Sequence, residues 1–309
     1  MNETPRKSPW PAATESDYEA VIFAGGGCRC FWQAGFWSVF ESVCPEPRFV
    51  LGVSAGAAFA CSGLLGRGRQ VLEDFKSRIA NNERNFYPRH FVQGRPIFPH
   101  EQIYRNTINT GLRSGDFERL RTGPDLRILV ARPPRGLGGR SGFVLGGIAY
   151  ALDRCEQRVH SRWAHRLGFG TELISVRDCS TQDELVDLIL HSSCTPPLLP
   201  LYRREDRIVL DGGLVDNAPA GMVPESCSTL VLLTRHYNRQ QIPSVRGRTY
   251  VCPSEPVPVV KWDYTNPELV QRTFDLGCRD GEAFAQRYQS AGAEGLCEQG
   301  PVEPPAISA

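Results

Sequence analysis

The sequence predicts an α/β fold, a three-layer α/β/α sandwich around a largely parallel central sheet. The first observation is the order of the early elements. EAVIFAGGG indicates a buried strand and a glycine loop, CFWQAGFWSVFESV a helix, and RFVLGVSAG a second strand that turns into the small-residue helix AGAAFACSGLLG. The second observation is that the alternation continues, with the helix VLEDFKSRIANNE followed by the strand DLRILVAR. Strands separated by helices are typical of a parallel sheet.

The second half of the chain extends this pattern. STQDELVDLILHSSC predicts a helix capped by Ser180 or Thr181, since its first turn also carries acids. DRIVLDGG and STLVLLTR predict two further strands, and NPELVQRTFDLGCRDGEAFAQRY predicts a long late helix. Between them, we expect the glycine-rich RPPRGLGGRSGFVLGG to be a mobile loop and IAYALDRCEQRVHSRWAHRL to be a helix.

Composition divides the 309 residues into three segments. We expect residues 1–17, which are polar and contain proline, to form a flexible N-terminal arm. Residues 18–292 carry the strand and helix patterns and form one domain. Residues 293–309 are expected to be a frayed C-terminal tail.

Charge and cysteine content restrict the partners and the compartment. The formal net charge is +1, so no overall field favours nucleic acid. The chain has eleven cysteines without a compact pair, and its first residues lack the apolar core of a signal peptide, so we expect reduced thiols in the cytoplasm. No apolar run approaches the roughly 18 residues of a spanning helix, so any membrane contact is expected to be peripheral. The histidines and cysteines lack metal-ligand spacing, and we expect no metal and no cofactor.

Three short motifs together provide what acyl transfer by a serine needs: a nucleophile, a base and donors for the oxyanion. In LGVSAG, Gly52 and Gly56 permit a sharp turn that holds Ser54 at its apex. In AGGGCRC, consecutive glycines after a strand can present backbone N–H groups to an anion. In VLDGG, the carboxylate of Asp211 stands at a strand end, within reach of Ser54.

With these motifs in this order, the chain resembles the patatin-like phospholipase family. The glycine-rich family motif G-G-G-x-[RK]-G corresponds to Gly25, Gly26, Gly27, Cys28, Arg29 and Cys30. The motif G-x-S-x-G corresponds to residues 52–56, and D-G-[GA] to Asp211, Gly212 and Gly213. HSSCTPPLLPLY and LVDNAP are also similar to family segments, so the resemblance spans residues 21–224. Cys30 departs from the pattern, because the family usually has glycine there, and a positive φ at that position would strain a cysteine.

The resemblance implies a hydrolase domain with a Ser54–Asp211 dyad and no catalytic histidine. Asp211 would be the general base, and the oxyanion would lie in the loop of Gly25, Gly26, Gly27, Cys28 and Arg29. The implied reaction is hydrolysis of fatty-acyl esters of phospholipids or lysophospholipids through an acyl-Ser54 intermediate. The implied partner is a lipid or membrane-surface substrate, and no cofactor is required.

Other interpretations of the same residues remain open. In an ordinary α/β-hydrolase a histidine follows the acid, and only His236 lies beyond Asp211. Asp216 is a second carboxylate that could act as base or cap a short helix. A relative without hydrolytic activity would serve as a binding or scaffold protein. A nucleotide-binding loop would need a third glycine where Cys30 stands and an acid after the second strand.

Overall fold

The structure is a computed structural model that describes residues 18–155, 159–160 and 163–298. The N-terminal arm expected at residues 1–17 lies outside the described residues. The described strands form one sheet and are β1 (Ala20–Phe23), β2 (Phe49–Val53), β3 (Asp125–Arg132), β4 (Gly170–Ser175), β5 (Tyr202–Arg204), β6 (Arg207–Asp211), β7 (Thr229–Leu232) and β8 (Arg248–Val251). The described helices are α1 (Phe31–Phe40), α2 (Ala55–Leu64), α3 (Gly68–Ala80), α4 (Arg89–Val92), α5 (His100–Gly111), α6 (Asp116–Thr122), α7 (Gly139–Cys155), α8 (Trp163–Arg166), α9 (Gln182–Ser192) and α10 (Pro267–Glu298).

The strands are hydrogen-bonded in the order β5-β6-β3-β2-β1-β7-β8, where β6 and β2 pair with successive parts of one edge of β3 and β4 pairs with its other edge. The central strands β3, β2, β1, β7 and β8 are parallel, as the sequence predicts. β4 and β6 run antiparallel to β3, and β5 antiparallel to β6. The carboxyl ends of the parallel strands therefore share one edge of the sheet, which is where ligands bind in open α/β folds.

Helices flank both faces of the sheet, and strand alternation explains why. Val21 and Phe23 of β1 pack with α1, α2, α3, α9 and α10 in one core. Ala20 and Ile22 point to the opposite face, which is covered by the segments around Ala218 and Ile242. A third cluster joins α7 and α8 to β6. The three-layer α/β/α sandwich is thereby confirmed.

Two local predictions have specific outcomes. α9 is capped by Thr181, whose Oγ1 accepts a hydrogen bond from the Glu184 amide at 3.2 Å, while the Glu184 carboxylate accepts one from the Ser180 amide at 2.7 Å. The last helix continues to Glu298, six residues into the segment 293–309 that the sequence assigns to a tail. The domain boundaries themselves stay predictions. No helix in the described ranges is both long enough and apolar enough to span a bilayer.

The prediction of a mobile loop over residues 132–147 is wrong from Gly139 onward, because α7 begins there. Its glycines serve close packing instead of a turn. A Cβ on Gly139 would lie 2.7 Å from the Leu201 side chain, and one on Gly142 would lie 2.7 Å from Pro133. A Cβ on Gly146 would be 3.3 Å from Leu214. Glycines three and four residues apart form one helix face that packs closely against β6 and the segments beside it.

Candidate active site

Ser54 occupies a sharp turn between β2 and α2. Its φ of 54° and ψ of −131° lie outside the usual regions for a residue with a side chain, a strain of about 1–3 kcal/mol. The turn requires glycine on both sides, because a Cβ on Gly52 would lie 2.4 Å from Ala57 Cα and one on Gly56 would lie 2.3 Å from the Phe23 carbonyl oxygen. The Ser54 amide donates to Ser192 Oγ at 2.8 Å, which holds the turn from α9.

Asp211 reaches Ser54 because β2 and β6 meet end to end along β3. Residues 130–131 of β3 pair with β4 on one edge and with β6 on the other. β2 pairs with the same edge of β3 as β6 does, but with the preceding residues of β3, so that Val53 is opposite Leu129. Asp211 pairs with Val130, the next residue of β3. The two strands run toward each other, so the residues at their carboxyl ends meet.

The hydroxyl of Ser54 donates a hydrogen bond to Asp211 Oδ2 at 3.0 Å. Both side chains are buried, each with 2% exposure. The other carboxylate oxygen of Asp211, Oδ1, accepts a hydrogen bond from the Gly213 amide at 2.8 Å. Burial raises the pKa of Asp211 above its ordinary value, and this rise is opposed by the charge of Lys261 and by the hydrogen bonds from Gly213 and Ser54. A carboxylate of raised pKa is a stronger base for the serine proton.

The glycine loop offers two free amides next to the nucleophile. A Cβ on Gly25 would lie only 3.3 Å from Ser54 Cβ, so the loop packs directly against the serine. Within the described residues, the N–H groups of Gly26 and Gly27 donate to no protein acceptor. Gly27 has a φ of 58° and therefore needs to be glycine.

The prediction that the amides near Gly26, Gly27 and Cys28 hold the oxyanion needs correction at Cys28, and the Gly25 amide of the same loop is engaged as well. The Gly25 N–H donates to the Asn217 carbonyl at 3.1 Å, and the Cys28 N–H donates to the Lys261 carbonyl at 3.0 Å. These partners tie the loop to neighbouring segments. The two amides are therefore engaged in the fold, and only those of Gly26 and Gly27 are free for a ligand.

Side chains fix the orientation of both free amides through the carbonyls that precede them. Asn217 Nδ2 and Thr234 Oγ1 donate to the Gly25 carbonyl at 2.7 and 2.8 Å. Arg29 Nε donates to the Gly26 carbonyl at 3.4 Å. In a trans peptide the C=O and the following N–H point in opposite directions. Holding the two carbonyls therefore holds the N–H groups of Gly26 and Gly27.

Cys30 does not strain this loop. Its φ of −67° and ψ of −11° are helical, which any residue adopts, and the positive φ of the loop lies at Gly27 instead. The thiol is fully buried and donates to the Ala24 carbonyl at 3.6 Å. Burial raises the pKa of this thiol to about 12, so it stays neutral at physiological pH.

Two cavities adjoin the site on different sides. The first is almost entirely apolar. Its lining includes Gly27, Cys28 and Ala55, which are next to the nucleophile or the glycine loop, and also Phe31, Phe59, Phe75, Tyr104, Ile108 and Leu112. The second contains Asp211 and Gly213, and its other walls include Phe143, Tyr150, Thr195, Leu198, Lys261 and Trp262. A ligand at Ser54 therefore has an apolar cavity on one side and a mixed polar and aromatic cavity on the other.

The rival candidates lie elsewhere or have local roles. His236 is exposed, its Nδ1 lies 2.9 Å from the Pro253 carbonyl, and no hydrogen bond described in the structure joins any histidine to Ser54 or Asp211. Asp216 caps a turn by accepting from the Ala218 amide at 3.0 Å.

The sequence did not indicate three residues that support the site: Asn217, Thr234 and Lys261. For Thr234 a signal existed, since it follows β7 at the carboxyl edge of the sheet.

An α/β sandwich with a strained serine elbow, a facing carboxylate and free amides beside the serine defines a class of serine acyl hydrolase folds. The family model described as patatin-like phospholipase matches residues 21–223, and the chain belongs to that family. Family membership supports a lipid acyl hydrolase activity in general.

The crystal structure of VipD from Legionella pneumophila is similar with a TM-score of 0.42 and 11% identity, covering 89% of this chain and 68% of that one. Comparison with curated protein sequences finds no match.

Proposed function

We propose that this protein is a cytoplasmic serine acyl hydrolase that cleaves fatty-acyl esters of phospholipids or lysophospholipids through an acyl-Ser54 intermediate, with Asp211 as the base. The single observation that carries the proposal is the 3.0 Å hydrogen bond from the Ser54 hydroxyl to Asp211, formed on a glycine-flanked elbow beside two free amides.

In the first half-reaction, Ser54 Oγ attacks the ester carbonyl carbon while its proton passes to Asp211. The carbonyl oxygen gains negative charge and accepts hydrogen bonds from the Gly26 and Gly27 amides. The intermediate then collapses, the bond to the alcohol breaks, and Asp211 returns the proton to that alcohol. In the second half-reaction, water loses a proton to Asp211 and attacks the acyl-serine carbonyl. The bond between the acyl carbon and Ser54 Oγ then breaks, Asp211 returns the proton to Ser54 Oγ, and the fatty acid is released.

The two cavities support an ester that has an apolar acyl chain and a more polar alcohol. The apolar cavity lies beside the proposed oxyanion amides at Gly27 and beside Ala55, the residue after the nucleophile. Its aromatic and aliphatic walls favour a hydrocarbon chain. The leaving alcohol would occupy the second cavity, which contains Asp211, the group that would protonate it.

Exposed apolar residues on α7 support a substrate that is reached at a lipid surface. Val144, Ile148 and Leu152 lie four residues apart and are 61%, 52% and 41% exposed. The same helix lines the second cavity through Phe143 and Tyr150. An apolar stripe on a helix that also lines the cavity can enter the boundary of a bilayer as a peripheral contact, which would let a lipid move into the site without crossing water.

Two alternatives make different predictions for the same side chains. A scaffold without hydrolytic activity would neither release fatty acid nor react with an electrophile at Ser54. A histidine-dependent hydrolase would need His236, whose ring is directed to Pro253 in this structure.

Release of fatty acid from a micellar lysophospholipid and of alcohol from a short-chain aryl ester tests the proposal. We expect the parent protein to hydrolyse both and Ser54→Ala to hydrolyse neither above background. Ser77→Ala, which removes an exposed hydroxyl on α3, is the matched control and should retain parent activity. Absence of hydrolysis by the folded parent protein would favour the scaffold.

A further inference from the structure

Two cationic side chains contact Tyr150, a residue that lines the second cavity, and a third cation lies near them. The Arg235 guanidinium donates to the Tyr150 hydroxyl, and its Cζ lies 5.5 Å from the centroid of that ring. Lys261 Nζ lies 5.6 Å from the same centroid and 4.4 Å from the centroid of Trp262. Arg29 is the third cation: its Nε donates to the Gly26 carbonyl, and the preceding carbonyl, that of Gly25, accepts from Thr234, the residue before Arg235.

No direct salt bridge to a carboxylate is found for these cations in the described part of the chain, and the charge of Lys261 acts on Asp211 without one. Within the described residues, Arg29, Arg235 and Lys261 form no ion pair, and Arg235 Nε is buried without a hydrogen-bond partner. The nearby carboxylates are otherwise engaged: Asp211 with Ser54 and Gly213, and Asp263 with Thr265 and Asn85. Elsewhere the protein pairs comparable arginines, for example Arg105 with Glu101 and Asp187.

The cluster is fixed to the proposed catalytic groups. Tyr150 and Lys261 line the cavity that also contains Asp211. Arg29 holds the Gly26 carbonyl, and the Lys261 carbonyl accepts from the Cys28 amide. A group bound by these cations would therefore lie on the leaving-alcohol side of the ester, away from the apolar cavity.

We propose that Arg29, Arg235 and Lys261 form a binding site for a phosphate monoester on the leaving alcohol, so that the preferred substrate is an acylglycerol phosphate. Three cations with an unused buried donor match a dianionic phosphate, which accepts several charge-assisted hydrogen bonds. A phosphocholine head group carries its own cation and would gain less, and a neutral acylglycerol would leave the cluster unpaired. This inference rests on the proposed function, because it assigns the leaving half of that same substrate.

The test compares three substrates with the same acyl chain in one neutral detergent: a monoacylglycerol phosphate, a monoacylglycerol phosphocholine and a monoacylglycerol. The readout is the ratio of kcat/KM for the phosphate monoester to kcat/KM for the neutral ester. We expect the parent protein to favour the phosphate monoester about tenfold or more, the effect of a charge-assisted hydrogen bond. Arg235→Gln should lower that ratio about tenfold, and Arg235→Lys should restore part of it.

Arg246→Gln is the matched control. Arg246 is exposed just before β8, at the opposite end of the parallel strands from the site, and should leave both the ratio and the turnover unchanged. The inference is overturned if the parent protein has a kcat/KM ratio near one, or if Arg235→Gln leaves that ratio unchanged. Neither result contradicts the proposed hydrolase activity. Thermal unfolding of each variant confirms that the ratios compare folded proteins.

Competition distinguishes a lipid head group from free phosphate. Glycerol 3-phosphate and inorganic phosphate are added to the neutral-ester assay. Stronger inhibition by glycerol 3-phosphate, weakened in Arg235→Gln, supports the head-group assignment, whereas stronger inhibition by inorganic phosphate overturns it. If the parent protein hydrolyses no ester, the proposed function fails. Equilibrium binding of the monoacylglycerol phosphate then tests whether the three cations form a phosphate site. Tighter binding to the parent than to Arg235→Gln supports the site, and equal binding overturns it.

Discussion

Val53 and Asp211 occupy successive positions along the same edge of β3, since Val53 pairs with Leu129 and Asp211 pairs with Val130. The strands that carry them run in opposite directions, and each ends at this junction. Ser54 follows Val53 directly, which explains how two residues 157 positions apart in the chain form a 3.0 Å hydrogen bond. The pairing of the proposed nucleophile and base is thus a property of the sheet, because backbone register positions both residues.

The environment of Asp211 predicts an acid limb in the pH dependence of activity. The proposed base must be ionised, and burial raises its pKa above the ordinary value, so kcat/KM falls as the pH drops through that raised value. The charge of Lys261 lowers the Asp211 pKa. In Lys261→Met the limb should therefore move to higher pH, measured as kcat/KM on a neutral aryl ester.

Lys76→Met is the control for this shift, because Lys76 lies on α3 and pairs with Glu73. It should leave the limb in place. A limb that stays in place or moves to lower pH in Lys261→Met would show that the lysine charge does not act on the base.

Thr234 is expected to be a positioning residue for the proposed oxyanion amides. Thr234→Val removes one of the two side-chain donors to the Gly25 carbonyl, so the Gly26 amide loses part of its support. We expect kcat to fall about tenfold with little change in KM, less than the loss of a direct oxyanion donor would cost. Steady-state kinetics on a short-chain ester gives both constants.

Thr273→Val is the matched control for Thr234→Val, because it makes the same substitution away from the glycine loop. Thr273 is buried, and its Oγ1 donates to the Leu269 carbonyl within α10 at 2.8 Å, the same length as the Thr234 bond. It should lower stability without changing kcat. Equal kinetic effects of the two variants would mean that Thr234 acts only through stability.

The helical φ of Cys30 predicts the effect of restoring the family glycine. Cys30→Gly relieves no backbone strain, leaves a small cavity in the core, and adds the conformational entropy of glycine. We expect the free energy of unfolding to fall by about 1–3 kcal/mol, with turnover not raised. Urea unfolding and ester kinetics measure both effects, and Cys30→Ala should lie between parent and Cys30→Gly. A gain in turnover for Cys30→Gly would contradict the helical geometry of this loop.

The exposed apolar face of α7 predicts a dependence on lipid surfaces. The double variant Val144→Asn, Ile148→Asn should lower the ratio of turnover on phospholipid vesicles to turnover on a soluble ester by about tenfold, because it removes apolar area that would be buried at the interface. Val245→Asn, at an exposed apolar residue beside the opposite end of the sheet, should preserve the ratio. An unchanged ratio in the double variant would exclude α7 as the contact with lipid.

Buried parallel strands and the elements between them could be predicted from the sequence, since their apolar runs are continuous and their glycines stand at turns. DLRILVAR coincides with β3, and the cap of α9 is one of the two residues that its first turn indicated. β4, β5 and β8 were not predicted, because they are short or polar strands whose existence depends on pairing with distant partners. The glycines of residues 139–147 predict a loop where the first half of α7 lies, because glycine signals both turns and close helix packing.

The proposed nucleophile and base could be predicted because each belongs to a contiguous motif. The residues that orient the glycine loop could not, since Asn217 and Thr234 act on Gly25 from 192 and 209 positions away. The cations around Tyr150 come from three separate segments and have no shared motif. The engaged amides of Gly25 and Cys28 likewise depend on Asn217 and Lys261, distant partners that no local pattern indicates.

The rate and position of phosphonylation by a fluorophosphonate test the central claim, the Ser54–Asp211 dyad, most directly. We predict a single label on Ser54, located by peptide mass spectrometry. The labelling rate should fall by several orders of magnitude in Asp211→Asn, which keeps the size of the side chain but removes its basicity. The unfolding temperature of that variant should not fall, since it removes a buried ionisable group whose charged form burial disfavours. His236→Ala should label within a few-fold of the parent rate. Labelling that persists in Ser54→Ala, or that is lost in a folded His236→Ala protein, would contradict the dyad.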